Sequence, residues 1–247
     1  MATVLSGTSG ALYYKPAGTD STFKAADVTN ADNEINVGAY RNFKVDDKVV
    51  FGAGTGGTLP AGITAGTDYF VLTYTASTGV ATFSATAGGS ELALTDDGTD
   101  GSTPFTIKFS EFLAVGSVRE WSFEITRDEI DVTTIGQSLG QYAPFKTYIT
   151  AFADGSGSAS VYVTDDDTNI ASRLVEDVLQ RQQTGVNFKL YIDRVTSSGS
   201  VDDTASRSIE MEAVLSSANF TVNPDDAQVA EANFPPSAVP TFDFTKS

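Results

Sequence analysis

The side chains in this chain that cluster densely enough to suggest chemistry are carboxylates. Asp165-Asp166-Asp167 is the densest run, and Asp96-Asp97-Gly98-Thr99-Asp100-Gly101 is the one most like a calcium loop. Glu124 stands shortly before Asp128 and Glu129, and two carboxylates are the minimum equipment for glycoside hydrolysis. None of these has the rest of its chemistry. Hard-cation loops space their oxygen ligands at alternate positions and turn on a glycine, which the Asp165 run does not do. The Asp96 loop lacks the distal glutamate of an EF-hand. The expectation is a helix start for the first, where the dipole favours negative charge, and plain Asp-Gly turns for the second. No aromatic sugar platform accompanies Glu124. Gly52-Ala53-Gly54-Thr55-Gly56-Gly57 is glycine-rich, but no Gly-Lys-Ser/Thr and no helix follow, so it reads as a β-turn and not a phosphate cradle. The chain has no histidine and no cysteine. That removes a Ser-His-Asp triad, thiolate chemistry, disulfides and the usual zinc ligands, and it fits assembly in a reducing cytosol. The expectation is a protein that is not an enzyme and has no cofactor and no metal.

The elements around these residues are mostly strands. With 247 residues and 22 glycines, the chain can bury a substantial core and make many turns. Val118–Gly136, VREWSFEITRDEIDVTTIG, carries the only tryptophan. Trp121, Phe123 and Ile125 fall on one face and Ser122, Glu124 and Thr126 on the other, as in a half-buried strand. An acidic turn and a second short strand, DVTTIG, are expected after it. Val186, Phe188, Leu190 and Ile192 alternate with Asn187, Lys189, Tyr191 and Asp193. Ile209, Met211, Ala213 and Leu215 alternate with Glu210, Glu212 and Val214. SASVYVT marks a shorter strand. The one good helix is Asn169–Gln183, where Ile170, Leu174, Val175, Val178 and Leu179 form an apolar stripe. Thr168 or Asn169 caps it and Gly185 stops it.

Three regions separate on pattern. Residues 1–28 hold a strand at Ala11–Lys15 that closes at Pro16-Ala17-Gly18. Residues 29–110 are dense in Gly and Thr, with strands at Lys48–Phe51, Tyr69–Tyr74, Val80–Ser84 and Phe105–Phe109, and read as a small all-β domain. Residues 111–247 carry the longer strands and the helix. From Asn219 onward, Pro224, Pro235, Pro236 and Pro240 with Phe220, Phe234, Phe242 and Phe244 suggest an extended segment packed on this subunit or a neighbour, not a central strand. No run approaches the roughly 20 apolar residues of a membrane helix. MATVLSGTSG lacks a basic and an apolar region, so no secretory signal is expected. The formal charge is −17. A surface this acidic repels the phosphates of DNA.

The order of the Trp121 strand, Asp131–Gly136, the helix Asn169–Gln183, the strand Lys189–Asp193 and the strand Ile209–Ser217 resembles the tail tube (major tail) protein family of long-tailed bacteriophages. The resemblance covers residues 1–28 and 111–247. Residues 29–110 depart from it: fragments such as Phe43–Val49, Leu59–Thr64 and Thr67–Val71 look like a small β module found in phage structural proteins.

The resemblance implies a mainly β (α+β) fold, an antiparallel β-sandwich or barrel with one packed helix. The tube domain would be discontinuous, 1–28 and 111–247, with 29–110 inserted and placed on the tube exterior. Subunits would form stacked hexameric rings whose sheets join into one inner barrel, a conduit through which DNA passes without specific binding. Glu124, Glu210 and Glu212 would face the lumen, and Trp121, Phe123, Ile125, Leu174 and Val178 would anchor the core. Partners would be the chain itself and other tail proteins: terminator, baseplate or tip, tape measure, and a sheath if the tail is contractile. The protein would assemble in the host cytoplasm, reside in the virion and have no membrane partner. Two rival readings use the same composition: a secreted β-sandwich adhesin or carbohydrate-binding module, and another virion part such as a decoration or tail terminator protein.

Overall fold

The period-two alternation of Ala11–Lys15 puts Leu12 and Tyr14 at 0 % exposure, and the architecture grows outward from this strand. The computed structural model describes residues 9–116, 118–133, 146–163, 170–221 and 228–245. The strands are β1 (Ala11–Lys15), β2 (Ser21–Phe23), β3 (Val28–Thr29), β4 (Glu34–Asn36), β5 (Lys48–Gly52), β6 (Asp68–Thr75) and β7 (Val80–Ser84). Then come β8 (Phe105–Phe109), β9 (Leu113–Val115), β10 (Val118–Asp131) and β11 (Tyr148–Tyr162). Helix α1 (Ile170–Leu179) follows, then β12 (Asn187–Asp193), β13 (Thr196–Ser197), β14 (Ser200–Val201) and β15 (Arg207–Glu212). The last strands are β16 (Ser217–Thr221), β17 (Val229–Asn233) and β18 (Thr241–Asp243). Among the described residues, no helix is long and apolar enough to cross a membrane.

The protein is mainly β and antiparallel throughout. One sheet runs β18-β15-β12-β1-β9, a second β10-β11-β17-β16, and a third β2-β8-β5-β6-β7-β4-β3. The first two share one core, in which Leu12, Tyr14, Phe188, Leu190 and Met211 meet Ala159, Val161, Ala232, Phe234 and Leu174. The third sheet encloses its own core of Phe23, Ile35, Val49, Phe51, Val71, Phe83, Phe105 and Ile107. β1 and β9 are hydrogen-bonded neighbours, Tyr14 opposite Leu113. The chain between them therefore leaves the sandwich and returns to it at one place. The third sheet takes in β2 and β3, so its strands begin at Ser21, upstream of the glycine-dense stretch.

Three elements differ from their sequence expectation. No acidic turn interrupts β10. It runs unbroken to Asp131, and the ladder absorbs the irregularity between Arg127 and Glu129, where Ala151 and Phe152 oppose Asp128 as a β-bulge. Arg127–Asp131 contains no Gly, Pro or Asn to set turn geometry, so the pairing continues. Helix α1 stops at Leu179 and not Gln183. The Gln183 Nε2 donates to the carbonyls of Asp177 and Gln180, both at 2.8 Å, which occupies acceptors that a further turn would need. The expected caps Thr168 and Asn169 lie outside the described residues. Lastly, β12 is buried on both faces. Lys189 is 9 % and Tyr191 3 % exposed, because Asp203 folds back to meet Lys189 Nζ at 2.9 Å and accept the Tyr191 hydroxyl at 2.6 Å.

The proline-rich tail is a further departure: expected outside any central strand, it completes β16 and supplies β17 and β18. β17 is a central strand of the second sheet and itself contains no proline; Pro235, Pro236 and Pro240 fall between β17 and β18, where no ladder needs their missing N–H. Phe234 is fully buried, its ring stacked on Phe188 at 3.9 Å. Gly157 permits this approach, since a Cβ there would stand 2.4 Å from the Phe234 ring.

Helix α1 joins the sandwich to the third sheet. Arg173 Nη1 and Nη2 donate to the two carboxylate oxygens of Asp47 at 2.6 and 2.7 Å, and Nη2 also donates to the Asn42 carbonyl at 2.9 Å. Both ion-pair side chains are 7 % exposed. One turn on, Asp177 accepts the Ala17 N–H at 3.0 Å and the Asn42 side-chain amide. Lys44 reaches Glu176 at 2.7 Å nearer the surface. A buried bidentate pair contributes little net stability when intact. Removing one partner typically costs about 3–5 kcal/mol, so this joint selects one docking geometry.

Phe234→Ala is expected to lower unfolding free energy by about 3–5 kcal/mol in urea denaturation, because the cavity opens between the sheets. Burial raises the Asp177 carboxyl from 3.8 to about 6. A group that holds its proton more tightly when folded stabilises most below its unfolded pKa, and that contribution is lost as pH rises through the folded value. Over the window from about pH 4 to 6 the loss is on the order of 3 kcal/mol. Asp177→Asn keeps an acceptor for the Ala17 N–H, and stability titrations are expected to show a correspondingly flatter profile across that window.

Candidate assembly surface

The second sheet has two unlike faces. Alternation turns Trp121, Phe123, Ala159, Val161 and Ala232 toward the sandwich core. The opposite face is built from rows that run across the strands. Glu120, Ser160, Glu231 and Asn219 are in register, and the next row is Ser122, Ser158, Asn233 and Ser217. Glu124 follows, opposite Ser156. The Ser122 and Ser158 hydroxyls lie 2.8 Å apart, and Asn233 Nδ2 donates to Ser217 Oγ at 2.8 Å. These positions include three glutamates and no lysine or arginine. The serines are short, so the rows form a shallow polar depression of about 420 Å3.

β10 and β11 outrun the rest of this sheet. β17 pairs with β11 only over Ser158–Tyr162, so Glu124–Asp131 and Tyr148–Ser156 form a two-stranded ribbon. At about 3.3 Å per residue it projects roughly 26 Å. Every residue of Glu124–Asp131 is exposed. Ile130 pairs directly with Ile149, at 50 % and 51 % exposure, and Phe152 at the bulge is 86 % exposed. An isolated two-stranded ribbon is marginal in water, and clustered exposed apolar side chains mark interaction sites.

The sequence-derived site residues are dispersed. Glu124 lies on the polar face. Glu210 and Glu212 do not: β15 belongs to the other sheet, where Glu210 stands 3.9 Å from Lys189 Nζ. Glu212 lines a separate groove of about 750 Å3 with Asp20, Arg41 and Lys108. Alternation assigns each glutamate to a face of its own strand but does not say which sheet the strand joins. Trp121 and Phe123 are half-buried against the core, Leu174 is 1 % exposed and Val178 packs at the core's margin. Ile125, expected in the core, is 50 % exposed. The sandwich ends at the Phe123 level, and Ile125 sits one pair beyond it, beside an apolar cleft of about 360 Å3 formed with Gly155, Pro236, Val239 and Phe242. Glu120 and Glu231 were missed. Glu120 has the same parity as Ser122 and Glu124 and was legible; Glu231 sits in a short alternation, VAEAN, amid the prolines.

The other carboxylates are engaged structurally. Asp96 accepts the N–H groups of Ala61 and Gly98 at 2.8 and 2.9 Å, and Asp100 accepts that of Ala25 at 2.8 Å. This loop therefore staples turns together. Glu124 and Asp128 are separated by roughly 13 Å of strand, beyond the reach of a glycosidase pair. Among the described residues no group of three His, Cys, Asp or Glu could hold a metal ion. Asp165-Asp166-Asp167 lies outside the described residues.

No protein-family model and no curated protein matches this chain. Similar solved chains include one from the virion of a native gene transfer agent (GTA) particle, at 13 % identity and TM-score 0.35, covering 53 % of this chain and 88 % of that one. Another is from the tail of an empty GTA particle refined helically with C6 symmetry, at 14 % identity and TM-score 0.38, covering 54 % and 87 %. At these values the likeness transfers neither a fold nor a role.

Because Phe152 touches so little of its own subunit, Phe152→Ser is expected to leave monomer stability within about 0.5 kcal/mol. Self-association read by sedimentation velocity is expected to fall.

Proposed function

We propose that this chain is a structural subunit of a phage-like tail tube, assembling as stacked hexameric rings around a DNA conduit. The second sheet carries this reading. One of its faces is core, the other is carboxylate, hydroxyl and amide without a basic side chain, and β10 and β11 run on into a ribbon on which Ile130, Ile149 and Phe152 stand exposed. A wall of that chemistry repels a polyanion and offers no cation to grip it, so DNA slides past without specific binding. The sequence resemblance of residues 1–28 and 111–247 to tail tube proteins points the same way.

The lumen in this reading is lined by Glu120, Glu124 and Glu231. The third sheet, built on residues between β1 and β9, is an inserted domain on the tube exterior. Its support is topological: the chain leaves and re-enters through the five-stranded sheet, on the side of the core away from the polar face. Heterologous contacts that do not close produce filaments, and the exposed ribbon supplies surface for them. The partners are further copies of the chain and the remaining tail proteins, and the place of residence is the virion after assembly in the host cytoplasm.

Negative-stain electron microscopy of the purified chain, over a range of concentration and salt, tests the reading. Hollow filaments or stacked six-fold rings are the expected result. A strict monomer in every condition would overturn it, and glycan binding by that monomer would establish the adhesin reading in its place.

A further inference from the structure

Among the described residues, the third sheet and the sandwich are joined by two chain crossings and a set of polar contacts. Residues 16–20 lead out of β1 and residues 110–112 lead back into β9, strands that lie side by side. Two short crossings at one place form a hinge axis, and Gly18 in the first of them takes a left-handed φ of 72°. Beside the hinge, α1 meets residues 40–47 through Arg173 with Asp47, Lys44 with Glu176, and Asp177 with the Asn42 amide. Gln180 Nε2 donates to the Tyr40 carbonyl at 2.6 Å, and Arg41 Nη1 to Thr184 Oγ1 at 3.4 Å. The Arg173 guanidinium also lies 5.6 Å from the Phe109 ring centre. The two apolar cores share no residue. The groove of about 750 Å3 already parts the two bodies on one side, with Thr106 and Lys108 on one wall and Asn187 and Glu212 on the other.

Polar contacts of this kind behave differently when cut singly and when parted together. Removing Arg173 or Asp47 alone strands a buried charge. Opening the joint returns both members of each pair to water at once and strands none, so the desolvation cost of closure is recovered. Two bodies with separate cores and a polar interface therefore move relative to one another at little cost.

We propose that the third sheet is a hinged body that swings off α1 on residues 16–20 and 110–112 with both cores intact, and that Asp177 is the latch that holds it shut. Asp177 bonds to both sides of the joint: it accepts the Ala17 N–H of the hinge at 3.0 Å and the Asn42 amide. Around it stand the Arg173 and Lys44 cations, the Asp47 and Glu176 carboxylates and the Tyr14 hydroxyl. Burial outweighs the donors and the two cations, and favours the neutral acid while the joint is shut. Once the joint opens, the carboxyl returns to water and ionises readily. Closure thus takes up a proton, and the closed form loses ground as pH rises through about 6. From pH 5 to 7.5 the ratio of closed to open falls about tenfold. Opening bares the α1 face that carries Arg173, Glu176, Asp177 and Gln180. The hinge belongs to the single chain and does not depend on the tube reading.

The cysteine-free chain allows paired dyes to be placed at will. Single-molecule energy transfer at picomolar concentration is measured between Ser77→Cys in the third sheet and Ser200→Cys in the sandwich, and again between Ala87→Cys and Ser200→Cys; all three positions are exposed. A second distance population is expected in at least one pair, its ratio to the first rising about tenfold from pH 5 to 7.5 while far-ultraviolet circular dichroism stays unchanged. Asp177→Asn is expected to hold that ratio at its pH 5 level throughout. One fixed distance in both pairs at both pH values would overturn the hinge, and that outcome needs no change at Asp177. Loss of the strand signal in step with the second population would overturn it in favour of unfolding of the third sheet. A pH dependence that survives in Asp177→Asn would overturn Asp177 as the latch.

Discussion

The structure depends on a column of three aromatic rings. Tyr14 on β1 faces Phe188 on β12, with ring centroids 5.9 Å apart, and Phe188 stacks at 3.9 Å on Phe234, which follows β17. All three are fully buried. The column ties the first strand, the centre of the five-stranded sheet and the tail of the four-stranded sheet into one unit. Burying three such rings contributes several kcal/mol. It also explains why the tail, despite its prolines, supplies a central strand: Phe234 is worth more inside than out, and Gly157 leaves it room.

Everything else attaches to this sandwich by weaker or more conditional contacts. The third sheet has its own apolar core and is held to α1 through polar groups: the Arg173–Asp47 pair, Asp177 and its donors, and Lys44 with Glu176. Desolvating those charges offsets most of their attraction. The joint therefore fixes orientation more than it adds stability. Asp177, buried with its carboxyl raised to about 6, favours the joint in mild acid and weakens it as pH rises from about 4 to 6.

The assembly surface follows from what the sandwich leaves unfinished. Its second sheet buries one face, shows water a smooth carboxylate and serine face, and stops at both edges with aromatic side chains half covered. The ribbon adds the exposed Ile130, Ile149 and Phe152. A monomer with such edges carries an aggregation hazard unless copies pair in an ordered way. Ordered pairing is the function proposed for it.

Much of this was legible in the residues. Short strand-forming runs bounded by turn residues located β1, β7 and β8, and the absence of histidine and cysteine excluded whole classes of chemistry. The apolar stripe located α1 to within a turn at its C-terminal end. Alternation also put Glu124 on an outward face, and by the same parity Glu120. It could not put Glu231 beside them or move Glu210 and Glu212 away. It could not tell that Ile125 lies one residue pair past the end of the core. A strand's own sequence determines which of its side chains share a face, because the pleat is local. Which strand lies alongside, where the ladder ends and which edge stays open depend on residues far apart in the chain, and only the tertiary structure decided those.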